Sequence, residues 1–357
     1  MRTDVLGMGG GVLEVPTRTQ RSPRLRDVAD RAGVSLGTAS NVLNHPERVS
    51  PAAIERVRAA IDELGFVRNA NASTLASGRS GALGLVVINL SNSMFVDVAR
   101  GAQAAARAAG HNLLLADSAD DFGAQGSNVD SFNEARVAGL LLAPMQDSSE
   151  HVARLKVRGI PVVLINYDQG DEDLCTVVVD NEQVGYLAVQ HMLDIGCRRI
   201  AFAAGGDEQY QPVRLRRRGV RRAMREAAGA ASFEEIMAGG VKEGDGLAVA
   251  QQIAGRGPET RPDGIIGVSD SLASGLVEGL CDAGIAVPGD IAVMGCDRNS
   301  SAGDCRVPLT SITMKGQEMG TAAVRLLLDE MDRDGFHVHQ RVVLTPELIV
   351  RGSTVRA

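Results

Sequence analysis

Seven arginines fall between positions 214 and 225: Arg214, Arg216, Arg217, Arg218, Arg221, Arg222 and Arg225. Guanidinium groups at this density suit phosphate, so one reading is a nucleic-acid patch. The preferred reading is one inward arginine on a helix whose other face is solvated. The five cysteines (Cys175, Cys197, Cys281, Cys296 and Cys305) are odd in number and contain no CxxC pair. That argues against a disulfide framework or a zinc site and suits a reducing cytosol. The six histidines show no metal-ligand spacing. His45, His111, His151 and His191 read as structural, and the His337/His339 pair is too little to assign a metal. No metal site is expected. No Ser/His/Asp constellation has supporting motif context either, so no catalytic residue is assigned, no cofactor is expected, and the chain does not read as an enzyme.

The elements that would carry other chemistry begin after residues 1–21, which are rich in Gly, Thr and Arg, lack periodicity and read as a disordered leader. Ser22-Pro23 looks like a cap followed by a first helical proline. Leu25, Val28, Ala29 and Ala32 then recur at helical spacing, and Gly33 sits where a helix end favours a left-handed residue. Ser35 can cap a second helix with Ala39, Val42 and Leu43 on its inner face. Ser50 and Pro51 start a third, with Ile54, Val57, Ile61 and Leu64 in one stripe up to Gly65. Two helices separated by a short turn containing glycine predict a helix-turn-helix within residues 22–67. Charge agrees. Residues 18–80 carry ten arginines and six acids, hence +4, residues 1–17 carry −1, and the net −7 leaves −10 on the rest. A basic head on an acidic body suggests polyanion binding by the head.

Residues 24–80 closely resemble the DNA-binding head of the lactose-repressor (LacI/GalR) family. The matching pieces include Asp27-Val28-Ala29, Ala32-Gly33-Val34-Ser35, Val42-Leu43-Asn44, Val49-Ser50, Glu63-Leu64-Gly65-Phe66 and Asn69-Ala70. The resemblance implies that the second helix reads a major groove. Leu36, Gly37 and Asn41 would face bases, Ser35, Thr38 and Ser40 would lie near the phosphates, and Asn44 belongs to the same surface. Leu36 suits a thymine methyl and Asn41 suits adenine. Gly37 has no side chain to read a base, and Asn41 stands where many relatives have Arg, so the operator sequence cannot be copied from a relative. Arg24 replaces the usual capping Thr, which passes the cap to Ser22. Residues 68–80 alone read as a flexible linker. By resemblance they are a hinge whose Leu75 wedges into the minor groove at the operator centre, with Arg79 at phosphate.

Residues 81–357 alternate apolar runs with helical stretches. Strands are expected at Leu83–Ile88, Asn112–Ala116, Gly139–Ala143, Pro161–Asn166, Thr176–Asp180, Ile200–Ala204, Gly264–Val268 and Ile291–Gly295. Helical segments between them include Ala99–Ala109, Val184–Ile195, Arg216–Ala228 and Ala273–Ala283. The pattern predicts parallel sheets in two doubly wound subdomains with a ligand cleft at the strands' carboxyl ends. A Rossmann cofactor site lacks its GxGxxG, and Gly205-Gly206 does not replace it. The markers Gly84-Leu85-Val86-Val87, Ser91-Asn92-Ser93-Met94-Phe95, Val179-Asp180-Asn181 and Pro308-Leu309-Thr310-Ser311-Ile312 resemble the family's periplasmic-binding-protein-like core. The resemblance places an effector against Phe95, Asn166, Arg216, Asp270 and Asp297. Arg298, in place of an acid or amide, would admit an anionic ligand.

The expected protein is a homodimeric transcriptional regulator. Repression is expected of it, from a near-palindromic double-stranded operator under the control of a small-molecule effector such as a sugar. Residues 81–357 would hold both effector and dimer contacts. A solute-binding protein would need a signal peptide, and Met1–Pro16 has no continuous apolar core. A sugar- or nucleotide-processing enzyme would need the missing catalytic constellation. The longest apolar run, near Leu83–Ile88, is far short of the ~18 residues of a membrane helix, so a cytoplasmic protein without membrane contact is expected.

Overall fold

The computed structural model describes residues 23–66, 81–206, 210–227, 229–297, 305–332 and 337–355. The expected leader, the 68–80 hinge with Leu75 and Arg79, and Arg298 lie outside the described residues. The chain separates into a small N-terminal unit and a large second unit.

The small unit holds α1 (Leu25–Ala32), α2 (Leu36–Asn44) and α3 (Pro51–Leu64). Its first helix departs from the sequence reading. Helical geometry starts at Leu25, and the cap position belongs to Arg24, whose N–H donates to Asp27 Oδ2 at 2.7 Å. Ser22 lies outside the described residues, and Asp27 at the third helical position closes the end from inside. Gly33 takes φ 63°, and the Val34 N–H returns to the Ala29 carbonyl at 3.0 Å. This glycine makes the turn that starts α2, where Ser35 Oγ accepts from the Thr38 N–H at 3.0 Å. Val28, Ala32, Val42, Val57 and Ala60 form the core between the three helices. Arg56 Nε donates to the Ala32 carbonyl at 3.2 Å, satisfying one of the acceptors left over at the end of α1.

The large unit contains two parallel sheets. The first has six strands in the order β11-β5-β4-β3-β1-β2: β1 (Ala82–Val87), β2 (Asn112–Asp117), β3 (Gly139–Leu142), β4 (Val162–Ile165), β5 (Cys175–Val179) and β11 (Arg341–Leu344). The second has the order β7-β6-β8-β9: β6 (Arg199–Gly205), β7 (Ser232–Ala238), β8 (Gly264–Gly267) and β9 (Ala292–Met294). A short antiparallel pair, β10 (Ser311–Thr313) and β12 (Glu347–Ile349), accompanies the second sheet. Helices cover both faces. On β1, Leu83, Leu85 and Val87 join one apolar cluster while Val86 joins another, as expected of a strand buried on both sides. Against the first sheet lie α4 (Ser93–Ala108), α5 (Phe122–Glu134), α6 (Ser149–Val157) and α11 (Gly316–Asp332). With the second go α7 (Asn181–Asp194), α8 (Gln211–Glu226), α9 (Glu243–Ala254) and α10 (Asp270–Asp282). The chain crosses between the subdomains at β5–α7, β10–α11 and β11–β12.

All eight expected strands are present. Four others escape the sequence reading. β7 has Glu234 and Glu235 in mid-run at a sheet edge, β11 alternates exposed residues, and β10 and β12 are three residues each.

The pair α7–α8 sets the position of the arginine-rich helix. A Cβ on Gly185 would lie 1.9 Å from the Arg216 carbonyl oxygen, and one on Gly219 would lie 1.8 Å from that of Glu182. The two backbones touch only because both positions are glycine. Gly219→Ala is expected to cost about 1–3 kcal/mol or more through forced separation, seen as a lower urea midpoint. Gly257→Ala, at φ −65° with nothing within 4 Å of the added carbon, should leave the midpoint almost unchanged. Equal midpoints for both variants would mean that α7 and α8 part without cost.

Candidate functional site

On α2, Ala39 and Val42 face the core while Ser35, Leu36, Gly37 and Asn41 are exposed; Leu36 is 48% accessible. An uncovered leucine in the first turn of a short helix has no packing role in the head. Ser35 Oγ and Thr38 Oγ1 lie 2.9 Å apart. Whichever donates, one hydroxyl proton of the pair remains for an outside acceptor. Thr38 and Ser40 are half-buried beside them. Asn44 ends the helix. The sequence reading and the structure thus agree on one helix end with apolar, amide and hydroxyl groups facing out.

In the large unit, Arg216, Asp270 and Asp297 are buried. Asp270 opens α10 directly after β8. Its N–H donates to Asp297 Oδ1 at 2.7 Å, the Asp297 N–H donates back to Asp270 Oδ1 at 3.2 Å, and Ser311 Oγ donates to the same oxygen at 2.5 Å. Arg216 donates from Nε to Asn181 Oδ1 at 3.0 Å and from Nη1 to the Val268 carbonyl at 2.6 Å, and Nη2 meets Met314 Sδ at 3.4 Å. Asn181 Nδ2 in turn donates to Asn166 Oδ1 at 3.0 Å. Asn166 holds φ 54° at the end of β4, a left-handed conformation that asparagine tolerates. One neighbourhood holds all three charges. The Cys296 thiol is pushed up to about 12, chiefly by burial, with Arg216 pulling it down and Asp270 and Asp297 pushing it up. Phe95, expected at the effector, belongs to the buried apolar cluster under α4.

Besides the Asn181–Asn166 bond, further contacts among the described residues join the facing subdomains. Asn92, the cap of α4, donates from Nδ2 to Asp297 Oδ2 at 3.1 Å. Gln211 pairs with the Asp168 backbone twice, accepting its N–H at 2.8 Å and donating to its carbonyl at 2.6 Å. Lys242 reaches Asp120 at 3.0 Å. Burial works against the Asp168 carboxylate, but the Gly170 N–H and the Arg341 guanidinium outweigh it and hold the group below its ordinary range. Asn92, Asn181, Gln211 and Lys242 were not expected as site residues. A signal existed for two of them. Asn92 and Asn181, like Asn166 and Asp270, follow the carboxyl ends of parallel strands, where α/β folds bind ligands.

One sequence reading needs correction. The arginine helix α8 has two buried arginines rather than one. Arg217 donates to the Gly205 carbonyl at 2.9 Å and lies 3.3 Å from Glu235. Its outer face is neutralised rather than merely solvated. Arg221 meets Glu235 at 2.5 Å, Arg218 and Arg222 meet Glu182 at 3.0 and 2.6 Å, and Arg222 also lies over the Tyr186 ring. Arginines so paired make a poor phosphate surface. The fold also gathers residues that the sequence keeps apart. His337 and His339, set aside in the sequence, are gathered with Cys175 and Glu330 so that one ligand atom of each lies within 4.8 Å of the others.

Residues 24–69 match the family of bacterial regulatory proteins called lacI, and residues 173–354 match the periplasmic binding protein-like domain. The ribose operon repressor of Escherichia coli K12 is 31% identical over 335 residues, covering 92% of this chain and 99% of the repressor. The chain belongs to the lacI family of bacterial regulatory proteins. Among solved structures, a complex of the transcriptional regulator CelR with cellobiose is 28% identical, covers 93% of this chain and 99% of CelR, and superposes with a TM-score of 0.66. The lac repressor dimer bound to operator and an anti-inducer shares the fold, with a TM-score of 0.81 at 23% identity over 94% of this chain and 100% of the repressor. In this lacI-family protein the first match spans all three head helices. The second takes in β5 to β12 and so contains Asn181, Arg216, Asp270 and Asp297. It is a DNA-binding regulator of transcription, and its relatives are named as regulators rather than as enzymes. No helix among the described residues is long and apolar enough to cross a membrane.

Proposed function

We propose that this protein is a homodimeric, cytoplasmic repressor whose heads read two half-sites of a near-palindromic operator, and whose core takes a small polyhydroxylated effector, a sugar or close relative. Ser35, Leu36, Gly37, Thr38, Ser40, Asn41 and Asn44 carry the head contacts, with Leu75 and Arg79 at the operator centre. Asn166, Arg216, Asp270 and Asp297 line the effector site, with Phe95 behind them. The observation that carries the effector reading is the Asn92–Asp297 bond between subdomains. Asp297 Oδ2 accepts one N–H there, and a ligand hydroxyl can supply the same donor. A ligand with adjacent oxygens would replace Asn92 on Asp297 and engage Arg216 with its other lone pairs, changing the angle between subdomains at the three crossovers. A shift in operator affinity cannot exceed the ligand's preference between the two forms, and such couplings are typically about 1–3 kcal/mol. The CelR complex, with a disaccharide, supports a ligand of this class.

The test is a thermal-shift screen of the full-length protein against sugars, polyols, nucleobases and organic acids. A true effector at a hundredfold excess over its Kd should add about 2.7 kcal/mol and raise Tm by several degrees. Stabilisation by a nucleobase alone would replace the sugar reading, and stabilisation by none of these classes would remove it.

A further inference from the structure

We propose that the six-stranded subdomain carries a zinc site, with Cys175, Glu330, His337 and His339 as its four ligands. Cys175 opens β5, Glu330 lies in the last turn of α11, and the histidines immediately precede the edge strand β11. These segments meet only in the folded chain. One ligand atom from each residue lies within 4.8 Å of the other three, with Cys175 Sγ 3.0 Å from His337 Nε2. Thiolate, two imidazoles and a carboxylate form a donor set that suits tetrahedral Zn2+.

Three further features point to a ligand rather than to a chance cluster. Glu330 Oε2 and His339 Nδ1 are buried and have no hydrogen-bond partner among the described residues. Two orphaned polar atoms in one place are costly, and a cation bound by both removes the cost. His337 Nδ1 lies 3.0 Å from Asp329 Oδ2. A proton held there by the carboxylate leaves Nε2 with its lone pair toward the cluster, the arrangement by which outer carboxylates orient metal-binding histidines. The Gln340 N–H donates to Cys175 Sγ at 3.3 Å, a contact that favours thiolate.

The ion would pin edge strand β11 and the end of α11 onto β5. β11 leads into the β11–β12 crossover, so the site steadies one of the three links between subdomains while lying at the strands' amino ends, away from the cleft. Its role is structural, since four protein ligands leave no open position for substrate.

The experiment uses the full-length protein, stripped with chelator and titrated with Co2+ as a spectroscopic probe. One Co2+ per chain should bind, giving a thiolate charge-transfer band and the visible bands of a tetrahedral ion, and Zn2+ should displace it. Cys175→Ser should abolish the charge-transfer band. His339→Gln and Asp329→Asn should each weaken binding by about tenfold or more. Cys175 is buried and its variant can fail to fold. Asp329 is partly exposed, and its substitution decides the matter independently. A titration with no charge-transfer band, or one in which both His339→Gln and Asp329→Asn bind like the parent, overturns the site.

Discussion

Operator affinity of the full-length protein should fall by about a thousandfold between 50 and 200 mM salt, the steepest response expected of this molecule. The cause is phosphate neutralisation by two basic heads. Each 18–80 segment carries +4 on a chain whose remainder is acidic, so binding energy at low salt comes from the head alone. Releasing counterions from on the order of six phosphates gives a logarithmic slope near −5. Base contacts behave differently. Leu36 is exposed on α2 with no core role, so Leu36→Ala should lower affinity for the specific site with the salt slope unchanged. A contact to a thymine methyl or base edge is worth about 1–3 kcal/mol in discrimination. Fluorescence anisotropy across a salt series, on specific and scrambled duplexes, separates the two. A flat response would remove the electrostatic account. A Leu36→Ala loss equal on both duplexes would assign that side chain to the backbone instead of a base.

The head is legible in the sequence because its signals are local. Gly33, Ser35, Pro51 and Gly65 each mark a helix end through their own backbone preference, and all four stand where such an end occurs. Arg24 is the exception. The residue that closes α1 is Asp27, a helical residue whose capping role depends on reaching back. In the core, buried parallel strands announce themselves as apolar runs, whereas β7, β11 and the short pair β10–β12 do not, being edge or three-residue elements. The cleft charges were reached through family resemblance. Their partners were not, because a bond such as Asn92–Asp297 joins positions 205 residues apart. The same limit hid the Cys175 cluster. A His-x-His pair says little until the fold brings a cysteine from β5 and a glutamate from α11 beside it. The paired arginines of α8 are a further case, since Glu182 and Glu235 come from α7 and β7.

Arg216→Ala and Asp297→Ala should each weaken the effector's action on operator binding by at least about tenfold, one decade being 1.4 kcal/mol. Either removal strands a ligand oxygen or hydroxyl in a partly desolvated site, at about 1–3 kcal/mol or more. The two substitutions differ in what else they disturb. Arg216 also satisfies the Val268 carbonyl and Asn181 Oδ1, so its loss leaves buried acceptors unpaired and should lower core stability as well. Asp297→Asn separates the effects more cleanly. The amide oxygen can still accept the Asp270 N–H and so preserve the lock between β8 and β9, but its NH2 now faces the Asn92 NH2. The bond between subdomains is lost, while the charge that would receive a ligand hydroxyl becomes a donor. Expected for Asp297→Asn are near-parental melting, near-parental operator affinity without effector if the ligand acts by release, and a tenfold or greater shift in the effector titration. The measurement is anisotropy of an operator-bound variant titrated with the compound found in the thermal screen. Parental effector sensitivity in both Asp297→Asn and Arg216→Ala would make these residues internal struts, and the ligand would then have to bind elsewhere in the core. Loss in Arg216→Ala alone, with lowered melting, would leave the arginine structural and remove Asp297 from the effector site.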